Sequence, residues 1–392
     1  MNFSLQSNTD RSKVMASGGV ALSLVVLAGV LVIQHQNDPV PGPAVSSVVR
    51  PPESKSCVDC HELASHFESV PHAQTLHSSS DADFRERFAG QEFQTEDGEL
   101  MFRFSQENDT LWCESNSFPQ PVAISWLLGS GHHAITPVST WENASGETEL
   151  LELAVSWYPD RGLGLTLGQS PDSIWNAIGI DRLGKRSSHG ETLECLGCHS
   201  TWLPLDDGRI RLQEVDPGVT CYRCHTGTAE HLASDGEATP PGFSWTDLTP
   251  LESVNRCGNC HRRADQMTAE ELTVDNQLLI RFASASLVQS ECFLRQAVTS
   301  DDRSLRLDCL TCHDPHRPAS TDSVFYSDRC RTCHDGASQK ESTCPEMTRD
   351  SNCLPCHMPK VEIHPNLSFT DHWIRIRELD LTGIRQPRGQ SR

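Results

Sequence analysis

The pattern Cys-X-X-Cys followed directly by His occurs seven times in this chain, at residues 57–61, 195–199, 221–225, 257–261, 309–313, 330–334 and 353–357. Two thiols at that spacing can add across the vinyl groups of a porphyrin, and the adjoining imidazole can ligate its iron. This is the attachment pattern of c-type haem. The attaching thiols are Cys57 and Cys60, Cys195 and Cys198, Cys221 and Cys224, Cys257 and Cys260, Cys309 and Cys312, Cys330 and Cys333, and Cys353 and Cys356. The proximal imidazoles are His61, His199, His225, His261, His313, His334 and His357. Seven covalent haem c groups are expected.

Other uses of paired cysteines fit poorly. A structural zinc site needs four ligands, usually two such pairs per ion, and seven pairs do not divide that way. A thioredoxin-like site uses one pair beside a βαβ pattern, and no such pattern is present. Composition points the same way: apolar residues make up 36% and aromatics 6%, with 23 prolines and 25 glycines. That is thin for a protein-only core of 392 residues, and bound macrocycles would supply the missing apolar volume.

The formal charge of −21 argues against a nucleic-acid partner. It favours redox donor and acceptor proteins with basic docking surfaces and salt-sensitive association. Thioether formation takes place outside the cytoplasm, where disulfides also persist.

These motifs need elements to hold them. Residues 14–33 are uncharged and long enough to cross a bilayer. Arg11 and Lys13 precede them, which predicts an uncleaved transmembrane anchor, a cytoplasmic segment over 1–13, and a periplasmic or otherwise exported remainder. A Pro-rich stalk follows over 34–56 and a first haem segment over 57–77. Residues 78–190 alternate apolar and polar positions between turn signals, as in 100–106, 110–115, 122–131, 133–141 and 150–158. This predicts an antiparallel β insertion. Residues 191–378 carry six motifs and read as short helices and long loops, and 379–392 read as a disordered tail. The expected fold is thus mostly α and coil, organised around covalent haems, with a β insertion and one transmembrane helix.

The second axial ligand decides whether an iron only relays electrons or also binds substrate. Past the stalk, ten histidines lie outside the motifs: His66, His72, His77, His132, His133, His189, His231, His316, His364 and His372. Two imidazoles saturate an iron and lower its potential relative to a His/Met pair.

Four strings resemble the hydroxylamine-oxidoreductase-linked tetrahaem cytochromes and their larger relatives. SCVDCHELASHFESVPHAQTL (56–76) is similar to the family's opening segment. CYRCHTGTAEH (221–231) is similar to its CxxCHGPGxxH, with Thr226, Gly227 and Thr228 in place of Gly, Pro and Gly. CLTCHDPHRP (309–318) and CLPCHMPKVEIHPNLSFTDH (353–372) resemble its CxxCHxPH string and its closing segment. The resemblance covers roughly 55–77 and 190–375. It implies that His72, His231, His316 and His372 are distal ligands, generally to a haem other than the nearest. His364, His189 and one of His132 and His133, taken as His133, bring the distal set to seven. The resemblance also implies a disulfide between Cys292 and Cys344. Cys113 is expected as a buried thiol in a strand.

The function expected from these residues is a membrane-anchored heptahaem relay, a carrier rather than a catalyst. The motifs closest in sequence, two with three and five to seven, are the candidates for adjoining haems. The alternative is a multihaem oxidoreductase acting on a small nitrogen or sulfur oxyspecies at one five-coordinate iron. The fourth haem, on Cys257, Cys260 and His261, is its candidate, because no histidine follows until His313.

Overall fold

The computed structural model describes residues 55–225, 228–234, 245–299, 306–334 and 351–376. The chain divides into two units, Met1–Pro41 and Gly42–Arg392, and all described residues belong to the second.

Alternating burial makes the segment after the first motif a β structure. Its strands are β1 (Leu76–Ser78), β2 (Glu92–Gln94), β3 (Met101–Glu107), β4 (Thr110–Ser115), β5 (Phe118–Ile124), β6 (Trp126–Leu128), β7 (Thr136–Glu142), β8 (Thr148–Leu153), β9 (Val155–Tyr158), β10 (Gly162–Leu165) and β11 (Gly184–Ser187). They form a four-stranded sheet in the order β2-β3-β4-β5, a five-stranded sheet in the order β1-β6-β7-β8-β11, and a β9-β10 ladder. Asn108, in the left-handed region at φ 55°, turns β3 into β4.

Phe102, Phe104, Leu111, Cys113 and Ile124 from the first sheet share one apolar core with Leu127, Leu151 and Leu153 from the second. Successive strand residues point to opposite faces. Leu150 therefore faces away from Leu151 and joins a second core with Leu76, Val138, Leu196 and Leu203. Leu196 belongs to the second Cys-X-X-Cys-His string, so the five-stranded sheet is packed on a haem motif through its outer face.

Each motif ends or begins on a helix: α1 (Lys55–Val58), α2 (His189–His199), α3 (Cys221–Cys224), α4 (Pro250–His261), α5 (Cys309–Cys312), α6 (Ser323–Cys333) and α7 (Leu354–His357). Local chemistry fixes where the two longest begin. Ser188 caps α2 and Thr249 caps α4, each in a reciprocal box with Glu191 or Glu252. In α4, Pro250 follows the cap, where its missing N–H costs nothing.

The expected fold class needs correction on two counts. Strand is no minor insertion: the described residues hold 17 strands in six sheets, some of them inside the haem-bearing half. Leu205–Asp206 pairs with Arg209–Ile210 across Asp207-Gly208, both at positive φ, and Lys360–His364 pairs with Leu367–Thr370. Short Asp-Gly and Pro-Asn links between apolar residues form hairpins where helix and loop were expected. The fold is therefore mixed α and β. Second, no helix among the described residues is long and apolar enough to cross a membrane, so no transmembrane helix belongs to the described fold. The predicted anchor at 14–33, most of the stalk, the tail and Cys344 lie outside the described residues.

Candidate haem centres

A motif histidine can serve an iron only if one ring nitrogen is bare, and a bis-imidazole iron needs a second ring opposite it. Four imidazole pairs meet this geometry. His61 faces His231 with ring centroids 6.2 Å apart, His261 faces His72 at 6.1 Å, His225 faces His316 at 6.1 Å, and His313 faces His372 at 6.2 Å. Stacked rings would be far closer. Two imidazoles sharing one metal are separated by twice a bond of about 2 Å and twice the roughly 1.1 Å from ring centre to nitrogen, about 6.2 Å in all. Each pair joins one motif histidine to one outside the motifs. The four outside histidines are those implied by the family resemblance. The residues present therefore fit bis-imidazole haem iron.

Hydrogen bonds set the tautomers. A carbonyl oxygen only accepts, so a ring nitrogen facing one carries the proton and leaves the other bare. His372 Nδ1 lies 2.9 Å from Thr370 O, His199 Nδ1 is 2.9 Å from Thr75 O, and His357 Nδ1 is 3.2 Å from Arg375 O. In each case Nε2 keeps its lone pair for a metal, the usual outer-shell arrangement of a ligating histidine. His316 Nδ1 is held instead by the Asp314 carboxylate at 3.0 Å. Burial lowers the pKa of His72, His199, His225, His313 and His372. His261 is lowered to about 4 by burial, with His72, His372, His199 and His313 facing it. Neutral imidazole is the form that binds iron.

The segment carrying His72 is held against the second and third motifs by backbone. Val219 N donates to His72 O at 2.8 Å, and Gly218 N donates to His199 O at 3.0 Å. Gly218 has φ +79°, and a Cβ there would collide with Ala73 O, so only glycine admits the approach. His372 is fixed by Ser290, whose hydroxyl donates to His372 O at 3.3 Å and accepts from Ile374 N at 2.8 Å.

The motif thiols also meet across motifs. Cys198 faces Cys260, Cys257 faces Cys309, and Cys330 faces Cys353. The Tyr222 phenol, inside the third motif, reaches Cys57 of the first. These contacts join the first motif to the third, the fourth to the second and fifth, and the sixth to the seventh, and Arg223 Nη2, 2.9 Å from Gly197 O, links the third motif to the second. Close spacing in sequence anticipated only part of this order.

Other candidate histidines sit differently. His189 has no free ring nitrogen: Nε2 donates to Gly208 O at 3.0 Å, so Nδ1 accepts from Thr148 N at 3.1 Å. It ties α2 to β8 and to the Asp-Gly turn, and does not face an imidazole as a distal ligand would. His77 stacks on Phe84 at 3.4 Å, and its Nε2 faces Gln74 O at 2.8 Å. His133 lies 4.9 Å from Phe369 and 4.8 Å from His132. His364 lies 5.8 Å from Tyr158, with its Nδ1 accepting from Asn366 N at 3.3 Å. His364 thus belongs to the Lys360–Thr370 hairpin and His133 packs on it. Among the described residues no imidazole stands opposite His199, His334 or His357 at the ligating distance. His72 stands across from His261 of the fourth motif, the motif of the alternative reading, and it precedes that motif by more than half of the described residues.

No protein-family model matches the chain, and no curated protein is similar to it. One solved structure, an outer cell wall cytochrome named OcwA, is similar with a TM-score of 0.48 and 13% identity, over 84% of this chain and 80% of that one.

Proposed function

We propose that this chain is a multihaem c-type cytochrome that carries seven covalent haems and relays electrons outside the cytoplasm. The observation that carries the reading is the set of four imidazole pairs, each a motif histidine and a non-motif histidine about 6 Å apart. Bound haem supplies reversible one-electron storage at its iron. The chain supplies the rest. Its thiols would tether the porphyrin edges, and facing thiols from neighbouring motifs would bring those edges together. Its paired imidazoles would fill both axial positions, which favours transfer over substrate binding. Backbone carbonyls on Nδ1 hold the His372, His199 and His357 rings in the tautomer that leaves Nε2 for a metal. The acidic surface would meet donor and acceptor proteins of opposite charge.

The test is the mass of the exported, denatured protein together with the EPR spectrum of its oxidised form. Seven haem additions and at least four low-spin ferric irons are expected. Fewer than seven additions in a maturation-competent host would remove a motif from the set. A spectrum dominated by high-spin iron would overturn the relay.

A further inference from the structure

Arg223 stands where three of the haem motifs converge. It is the second residue between the cysteines of the third motif, Cys221–Cys224. Its Nη2 donates to Gly197 O at 2.9 Å, between the cysteines of the second motif. It also reaches the Cys260 thiol of the fourth. The second and fourth motifs touch there directly, with Cys198 Sγ 3.7 Å from Asn259 O. One guanidinium cation is therefore shared by three porphyrin attachment points.

Arg331 offers a comparison inside the same chain. It too lies between the cysteines of a motif, and its Nη2 donates to Ser351 O at 2.7 Å, beside the seventh motif. Its charge is offset by Asp328, 2.6 Å from Nη1. Among the described residues Arg223 forms no ion pair with a carboxylate.

We infer that Arg223 sets the potentials of the second, third and fourth haems together, and makes this junction the electron-collecting point of the series. The inference rests on the haem reading above. With haem bound, each transfer would move one electron from a ferrous iron to a ferric neighbour, with no bond or proton exchanged. The electron added to an iron is attracted by a nearby fixed cation, so Arg223 favours the ferrous form at all three positions. Coulomb energy falls with distance and with effective dielectric, so the effect ends at the motifs that surround the guanidinium. Arg223 is a positioning residue in this account: it tunes the irons without ligating them.

The experiment is an EPR-monitored potentiometric titration of full-length wild type, Arg223→Gln, Arg223→Lys and Arg331→Gln. In Arg223→Gln three irons should titrate lower, each with a roughly tenfold smaller reduction constant, about 59 mV for one electron. Arg223→Lys should bring them back to within about threefold of wild type, and Arg331→Gln should shift no iron by more than about threefold. A shift confined to one iron, no shift, or a lysine variant as low as the glutamine variant overturns the inference. Should Arg223→Gln fail to acquire its haems, the lysine variant decides: departure beyond threefold refutes the charge effect. Haem mass of the wild type is read first, and its absence would sink the haem reading rather than the role of Arg223.

Discussion

Trimming the imidazole of His372 should open one iron and leave the fold intact. The ring stands 6.2 Å from that of His313 at an interplanar angle of 39°. Its Nδ1–H is given to Thr370 O, which directs Nε2 to His313. The backbone around it has other anchors. Ser290 bridges His372 O and Ile374 N, Trp373 N donates to Asp371 Oδ1 at 2.8 Å, and Asp371, only 2% exposed, pairs with Arg375 at 3.1 Å. His372→Ala therefore removes one hydrogen bond, about 1 kcal/mol, and the packing of one buried side chain, about 2 kcal/mol. A total of about 3 kcal/mol is below the stability of an ordinary domain. The consequence at the metal is all-or-none, because an iron that loses a strong-field ligand becomes high-spin. One iron of the seven expected from the motifs should change. The assay is quantitative EPR of the oxidised variant beside carbon monoxide titration of the reduced one. One new high-spin iron and one added carbon monoxide site per chain are expected, and added imidazole should reverse both. A variant with unchanged spin state and no added site would show that His372 is not a ligand, and would discredit the distance argument for the other three pairs.

His189→Ala should behave in the opposite way. Its two backbone hydrogen bonds are lost, costing about 2 kcal/mol, so the thermal midpoint should drop by several degrees, while EPR shows no new high-spin iron. A new carbon monoxide site would restore His189 as a ligand. Cys113 is fully buried in β4, and burial, with Glu114 beside it, pushes its thiol well above the ordinary value. It should resist iodoacetamide in the folded protein and react after denaturation, and alkylation at equal rates in both states would refute the packing. Burial also raises the Glu152 carboxyl, against the pull of Lys185 and Arg281. The folded state then holds that proton more tightly than the unfolded state, so stability falls as pH rises from about 4.5 through the raised value. Glu152→Gln should raise the melting temperature at pH 7 and leave it unchanged near pH 4. A gain of equal size at both values would rule out that titration.

The chain's own residues mark the candidate site more plainly than the fold. Each Cys-X-X-Cys-His string is contiguous, because covalent haem attachment would need two sulfurs and a nitrogen on a few residues of backbone. The strands of the β insertion were legible for a similar reason. Met101–Glu107 and Thr110–Ser115 bury alternate side chains, and period-two burial leaves its trace in composition. The hairpins at 205–210 and 360–370 were obscured by the short spans between motifs, although Asp207-Gly208 is a turn signal in itself.

Tertiary structure alone decided which imidazoles face each other. His231 follows the third motif closely, yet stands across from His61 of the first, and His316 follows the fifth yet stands across from His225 of the third. A histidine a few residues beyond its own motif cannot reach the far side of the same macrocycle, so it is presented to a neighbour. Which neighbour depends on close backbone approaches such as Gly218 against Ala73, made by residues far apart in the chain. His189 and His72 are both plausible ligands by composition. Only the folded chain distinguishes them, because one ring has both nitrogens satisfied by backbone and the other faces His261.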